Sequence, residues 1–408
     1  MIFAMKVLLL TQVLPYPPDS GPKIKTWNTL KYLARQHEVT LVSFVRGDQS
    51  ADAAVLQKYC RAVYPVTMSR HPAYDAWAML VSLAANQPWM MLRDDRAAMR
   101  QLIARLSAES HFEVAHADQL NMCQYAARVG GARKILDAHN ALWLLYQRLA
   151  GTMGAGPKKW LLERDWRLLK RYEGSLCTNF DAVTAVSDED KGALEEAIAS
   201  QGKKLKKQAA PITVIPIAVD TDELPVVERQ PDADHLLHFG TMYWPPNIDS
   251  VRWFLDAIWP LILAQRPQTV FDLVGSRPPQ EFTLRGQADR RINVTGYVKD
   301  PLPYLQSAGA FIVPLRAGGG MRVKILEALA RGLPIITTTL GCEGIAVENE
   351  RHVLIADSPQ DFAAAILRVL GDRQLAEMLA RNGRQLAEER YDYRSACRPL
   401  DQVYEARP

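Results

Sequence analysis

The chain has 408 residues, 48% apolar and 23% charged, with 49 Lys and Arg against 45 Asp and Glu. These values belong to a folded globular protein of two or three domains and exclude a disordered, collagen-like or mucin-like chain. The net charge of +4 is too mild for a nucleic-acid binder, which concentrates basic residues on one face. Five scattered cysteines (Cys60, Cys123, Cys177, Cys342 and Cys397), none in a C-x-x-C pair, argue against a disulfide framework or a zinc site. They fit a reducing cytosol.

Met5–Leu10 has the single positive charge and short apolar stretch of a signal peptide. Pro15-Tyr16-Pro17-Pro18 follows where a small-residue cleavage site would stand, so a buried first strand is the better reading. No apolar run reaches the about 18 residues of a spanning helix, Ala76–Ala85 coming nearest. Lys6–Val13, Val39–Val45, Val114–His116, Lys134–Leu136 and Ala182–Val186 read as strands apolar on consecutive positions, as burial on both faces requires. Ile24–Arg35, Arg96–Ala108, Lys159–Leu176 and Glu189–Ser200 read as the helices between them. This first domain runs over 1–218, and the polar, proline-bearing stretch 219–234 reads as a linker.

The alternation then restarts over 235–390. Strands are expected at Leu236–Phe239, Val270–Val274, Ile292–Thr295, Ala310–Val313, Pro334–Thr338 and Val353–Ile355. Helices are expected at Asp249–Ala264, Arg322–Arg331, Pro359–Leu370 and Leu375–Glu389. The tail, 391–408, contains Tyr393–Glu405, read as a helix packing back toward the first domain. The fold class is α/β, two Rossmann-like doubly wound parallel sheets facing a central cleft, with ligands outside the carboxyl ends of the strands.

Several chemistries are missing. There is no G-x-G-x-x-G after a strand, no G-x-x-x-x-G-K-[ST], no H-E-x-x-H and no G-x-S-x-G. Asp220-Thr221-Asp222 is a D-x-D, the pattern that holds a divalent metal in some sugar-nucleotide enzymes, but it opens the linker and no metal site is assigned.

The chemistry concentrates in Pro314-Leu315-Arg316-Ala317-Gly318-Gly319-Gly320-Met321-Arg322-Val323-Lys324-Ile325-Leu326-Glu327. A strand ends at Pro314, three glycines follow, and a helix starts near Met321 and stops at Gly332. Glycines ahead of a helix let backbone N–H groups and the positive helix end approach an anion, and Arg316, Arg322 and Lys324 add charge. This is a seat for a diphosphate. Lys324 and Glu327 share a helix face. A solvated ion pair is the plainer alternative, whereas a carboxylate there can accept from two ribose hydroxyls.

The run Pro-Leu-Arg…Gly…Lys-Ile-Leu-Glu-Ala-Leu-Ala-Arg-Gly-Leu-Pro-Ile-Ile resembles the donor-site signature of GT-B retaining glycosyltransferases of family 4, as found among sugar transferases of bacterial exopolysaccharide clusters. Leu14–Gly21 resembles the family's first loop, with Gly21, and Ala185-Val186-Ser187-Asp188-Glu189-Asp190 its V-S-x-x-D segment. Phe239-Gly240-Thr241-Met242, Leu273-Val274-Gly275 and Thr295-Gly296-Tyr297-Val298 resemble the loops before the signature. The resemblance implies donor binding by Gly240, Gly275, Val298, Arg316, Gly318, Gly319, Gly320 and Glu327, with Arg322 and Lys324 on the leaving diphosphate. It implies a nucleotide sugar as co-substrate, no cofactor, no metal, and retention of configuration. Gly319 stands where the family has its first Glu, Pro216-Ile217-Ala218-Val219-Asp220 replaces Pro-Asn-Gly-Val-Asp, and the usual basic residue after Gly240 is absent.

His116-Ala117-Asp118 and Asp137-Ala138-His139-Asn140 end neighbouring strands of the first half. The resemblance makes His116, Asp118 and His139 catalytic and Asn140 an acceptor contact, for a glycan or lipid-linked acceptor. The alternatives are core or capping histidines, with Asp118 as the N-cap of a helix near Asn121. Lys158–Tyr172 is a basic amphipathic stretch, and with the Lys203–Lys207 cluster it suggests an anionic membrane surface as partner, on the inner face of the cytoplasmic membrane. A packed helix with a solvated face is the other reading. Two further activities share this architecture: a sugar-nucleotide epimerase, and a non-catalytic sugar-nucleotide or glycan-binding scaffold.

Overall fold

The computed structural model describes residues 4–202, 209–230 and 232–405. It divides into two units, Met1–Ala218 with Ala396–Pro408, and Val219–Ser395. The Lys203–Lys207 cluster lies outside the described residues.

The first unit is built on seven parallel strands, β1 (Lys6–Thr11), β2 (Glu38–Val45), β3 (Ala62–Thr67), β4 (Val114–Asp118), β5 (Arg133–Ala138), β6 (Ala182–Ala185) and β7 (Ile212–Val214). They lie in the order β3-β2-β1-β4-β5-β6-β7. Val7, Leu8, Leu9 and Leu10 are all fully buried, the continuous apolar run that a strand covered on both faces needs. The order reverses between β1 and β4, which opens a crevice at their carboxyl ends. Sequence reading missed β3 because it contains Pro65. An edge strand tolerates a proline, since one side of it has no ladder to break.

The Leu142–Gly151 helix was also not legible. Its first turn is capped from afar, by Glu173 accepting from the Leu142 and Trp143 amides at 2.9 Å each. Burial pushes the Glu173 carboxyl up to about 8 despite those two bonds. A cap supplied from that far along the chain leaves no local signal.

The second unit has six parallel strands, β8 (His235–Phe239), β9 (Phe271–Val274), β10 (Ile292–Gly296), β11 (Ala308–Val313), β12 (Ile335–Thr337) and β13 (Leu354–Ile355). Their order is β10-β9-β8-β11-β12-β13, reversing between β8 and β11. The helix expected from Asp249 begins earlier, at Pro245, where a proline at the first turn costs nothing. It passes through a π turn, Phe254–Ile258, before Trp259–Leu263. Pro260 has no N–H to give, and the wider turn absorbs that gap.

The stretch expected as a linker belongs to the second unit. Thr221 and Val227 are buried, the Thr221 hydroxyl donates to Asp392 at 2.7 Å, and Arg384 donates to the Leu224 carbonyl at 2.7 Å. Val219 pairs with Asp392 as an isolated bridge, which keeps the chain with this unit past residue 391. The expected single tail helix is two short ones, Tyr393–Ala396 and Pro399–Glu405, interrupted ahead of Pro399. From Ala396 the tail is part of the first unit, where Tyr32 donates to Asp401 at 2.9 Å.

Gly174, in the Pro157–Asn179 helix, brings that helix against Asp188–Ala199: a Cβ there would lie 2.3 Å from the Ala197 carbonyl oxygen. Gly192 faces open space. Gly174→Ala should therefore lower stability by about 1–3 kcal/mol. Gly192→Ala should raise it by about 0.5–1 kcal/mol, through helix propensity. Equal denaturant midpoints for the two variants would show that no close approach is being enforced.

Candidate active site

In the first unit, charged and polar groups meet at the β1/β4 switch point. Lys25, on the Gly21–Leu33 helix, is 2% exposed and sits 2.5 Å from both Asp137 oxygens at the end of β5. The Thr184 hydroxyl donates to Asp137 Oδ1 at 2.6 Å. Burial pushes the Asp137 carboxyl up, but Lys25, with His116 and His139, outweighs it and holds the group well below the usual range. Asp118, fully buried at the end of β4, lies 2.9 Å from the Thr26 hydroxyl and 2.8 Å from His139 Nε2. A carboxylate only accepts, so Nε2 carries the proton of this bond.

His116 is fully buried, its Nδ1 2.7 Å from the Tyr404 hydroxyl and its Nε2 3.5 Å from Asp137 Oδ2. Burial, reinforced by Asp137, holds that hydroxyl protonated. His116 and Asp118 are fully buried, and His139, 7% exposed, is the member of the set nearest the surface. Asp118 caps no helix: the short turn Leu120–Met122 has Gln119 at its N-cap. Gly21 opens the Gly21–Leu33 helix and Asn140 is half-buried just past β5. Lys25, Thr26, Asp137, Thr184 and Tyr404 were not singled out from the sequence. Lys25 and Tyr404 have no motif around them, and only the fold brings them to the strand ends.

In the second unit the corresponding switch point, β8/β11, gathers Gly240, His238, Asn247 and Lys324. Gly240 takes no side chain, and a Cβ there would lie 3.1 Å from Asn247 Nδ2, 3.2 Å from His238 Nε2 and 3.2 Å from Lys324 Nζ. Lys324 donates to Asn247 Oδ1 at 3.2 Å rather than pairing with Glu327. Burial, with Arg322 adding to it, lowers the Lys324 ammonium to about 7. His238 donates Nδ1–H to the Ile312 carbonyl at 2.9 Å, and burial together with Lys324 lowers it to about 3, so the ring is neutral. Burial raises the Glu327 carboxyl, with Arg331 opposing.

The helix here is Val323–Ala330, two residues later than expected, with Arg322 as an extended N-cap that offers no side-chain cap. The Val323 and Lys324 amides meet no acceptor among the described residues. Gly318 and Gly320 sit at φ +108° and +79°, backbone that only glycine adopts without strain, and Arg322 donates to the Gly319 carbonyl. Arg316 is held by Asp249 at 2.7 Å and lies over the Trp253 ring, so its charge is already paired.

Two expected donor glycines use their amides elsewhere. Gly240 N donates to the Val274 carbonyl at 3.1 Å and Gly275 N to Gly296 at 2.9 Å. A Cβ on Gly275 would lie 1.7 Å from the Gly240 carbonyl oxygen. Their part is to let three strand-end loops touch. Val298 is half-buried beyond β10.

Asp118, Asp137 and His139 bring ligand atoms within 4.8 Å of one another, the one such acid–histidine group among the described residues. Lys25 already supplies the positive charge against Asp137, so this set fits a metal poorly. The D-x-D carboxylates are likewise engaged: Asp220 accepts from the Asp222 amide at 3.1 Å, and Asp222 pairs with Arg394.

Residues 25–223 match the sequence family described as Glycosyltransferase Family 4, and residues 233–372 that described as Glycosyl transferases group 1. An uncharacterized 44.6 kDa protein in the cps region of Klebsiella pneumoniae is 19% identical over 95% of this chain and 96% of its own. A glycogen synthase of Mycobacterium tuberculosis is 27% identical over 48% of each chain. Among solved structures, HepE of Anabaena in complex with UDP superposes with a TM-score of 0.67 at 16% identity, covering 98% of this chain and 99% of that one. Sucrose-phosphate synthase of Thermosynechococcus elongatus gives 0.67 at 16% identity, covering 98% of each. With both halves matched in order and both sheets wound as the signature implied, the chain belongs to the GT-B glycosyltransferases of the family 4 type.

Proposed function

We propose that this glycosyltransferase moves a sugar from a nucleoside diphosphate to a glycan or lipid-linked glycan in cell-surface or exopolysaccharide synthesis, with retention of configuration and without a metal. The observation that carries the reading is Lys324. It stands at the open N-terminus of a helix, behind a glycine turn, as a half-buried lysine with no carboxylate partner among the described residues. Such a position suits an anion. The UDP and UDP-glucose complexes of HepE support a nucleotide sugar, and the cps-region relative supports a polysaccharide acceptor. Five buried thiols suit the cytoplasm, where nucleotide sugars are made.

In this reading the bond from the anomeric carbon to the phosphate oxygen breaks as the bond to the acceptor oxygen forms. The proton of the attacking hydroxyl passes to the leaving phosphate. Lys324 and the Val323 and Lys324 amides stabilise the growing negative charge, where preorganised donors act most strongly. Glu327 accepts from the ribose hydroxyls. His139, steadied by Asp118, serves the acceptor side from the first unit.

Lys324→Ala should cut kcat by about 10²–10³, the range for losing one preorganised stabiliser. Glu327→Ala should mainly raise KM for the donor, because ribose contacts are made equally in ground and transition states. Wild-type turnover in Lys324→Ala at saturating donor would remove this loop from the leaving-group site.

The acidity of Lys324 adds a pH signature. A diphosphate binds the ammonium form. Below about pH 7 Lys324 is already charged, so binding recruits no proton. Above it, binding must take one up, and the donor Kd should rise by up to about tenfold per pH unit. Lys324→Arg stays charged and should flatten the profile. Calorimetric titration with UDP from pH 6 to 9 reads this directly, and a flat wild-type profile would refute it.

A further inference from the structure

The basic helix proposed for membrane contact from sequence is largely spoken for. Within Pro157–Asn179, Leu168, Leu169 and Cys177 are buried, Arg167 pairs with Glu163, and Lys170 pairs with Glu196 at 2.5 Å. Its apolar side packs into the first unit, and two of its later cations, Arg167 and Lys170, are paired with acids. The uncovered apolar surface lies beside it.

On the Pro72–Ala85 helix, Trp77, Leu80 and Leu83 are 53%, 67% and 42% exposed. A spacing of three sets them in one stripe, and Ala78 and Ser82 are buried beneath. Arg164 ties the two helices together, donating to Ser82 Oγ at 3.1 Å and to the Ser82 carbonyl at 2.5 Å. Trp160, one turn before Arg164, is 59% exposed. Large apolar side chains grouped like this mark a surface with a partner.

Charge selects the partner. From Ala76 to Leu92 there is no charged side chain, and between Asp137 and Glu163 the chain carries Arg148, Lys158 and Lys159 and no acid. Tryptophans with leucines beside lysines match the boundary of an anionic bilayer, where ring and ammonium both find their solvent. A second copy of this chain fits less well, because this face carries few acids to answer Lys158 and Lys159 across a contact, whereas an anionic bilayer supplies negative charge throughout.

We infer that the Trp77–Leu80–Leu83 face, with Trp160, Lys158 and Lys159, seats the first unit on an anionic membrane surface. This seat depends on no assumption about donor or acceptor.

The test is co-sedimentation of the full chain with vesicles of phosphatidylglycerol in phosphatidylcholine, against phosphatidylcholine alone. Binding is expected to the anionic vesicles at low salt and to weaken as salt is added. K158Q/K159Q should weaken it about 30-fold, from about 1 kcal/mol per lysine at the surface. W77S/L80S should weaken it at least about tenfold by removing buried apolar area. Melting temperatures near wild type would confirm that these exposed positions leave the fold intact. As a measurement free of mutation, doxyl-labelled lipid should quench wild-type tryptophan fluorescence. The inference fails if no vesicle binding occurs at low salt or if neither double variant weakens it. It fails equally if W77S/L80S abolishes a concentration-dependent dimer in a protein that ignores lipid.

Discussion

A charge buried at the carboxyl edge of a parallel sheet must find a counter-charge or give up its proton, and each unit of this protein takes one of those routes. In the first, Asp137 meets Lys25 at 2.5 Å, and its carboxyl is held well below the usual range. Desolvating two ions is expensive, so such a pair persists only where further hydrogen bonds complete it. Thr184 donates such a bond to Asp137, the His116 ring stands 3.5 Å away, and Asp118, Thr26 and His139 form a second layer around them. Removing one partner would strand a buried charge, which fixes the Gly21–Leu33 helix against the ends of β4 and β5.

In the second unit Lys324 has an amide for a neighbour in place of a carboxylate. The loss of water, with the field of Arg322 added, then lowers the ammonium to about 7. The group is a cation in waiting: an arriving anion restores the charge that burial removed. The neutral His238 ring fits the same logic, since a second positive charge beside Lys324 would cost more. Close backbone approach makes the arrangement possible. Gly275 lets the β9 loop touch Gly240, and Gly240 lets the Lys324 ammonium come within 3.2 Å of where a side chain would stand.

Much of this was legible from residues alone where the signal is local. Consecutive apolar runs gave the central strands to within two residues or so, and the glycines before Val323 marked the anion-facing turn. Where a feature is completed from elsewhere, local reading fell short. The Leu142–Gly151 helix is capped by Glu173, β3 survives Pro65 because it is an edge, and the start of the expected linker, at Thr221 and Leu224, is held by Asp392 and Arg384. The Tyr404 hydroxyl that meets His116 Nδ1 comes from the far end of the chain, so no local pattern announces it.

The sequence by itself determined the alternation of strands and helices, the two doubly wound sheets, and the glycine–lysine–glutamate turn, because each rests on periodicity or spacing within a few residues. Tertiary structure decided which of the charged residues are occupied and which stand open. Arg316 is taken by Asp249, the D-x-D by its own turn and Arg394, and Lys25 by Asp137, while Lys324 is left facing an amide. That distinction could not be read along the chain. Pairing and desolvation depend on distances between residues that only folding brings together.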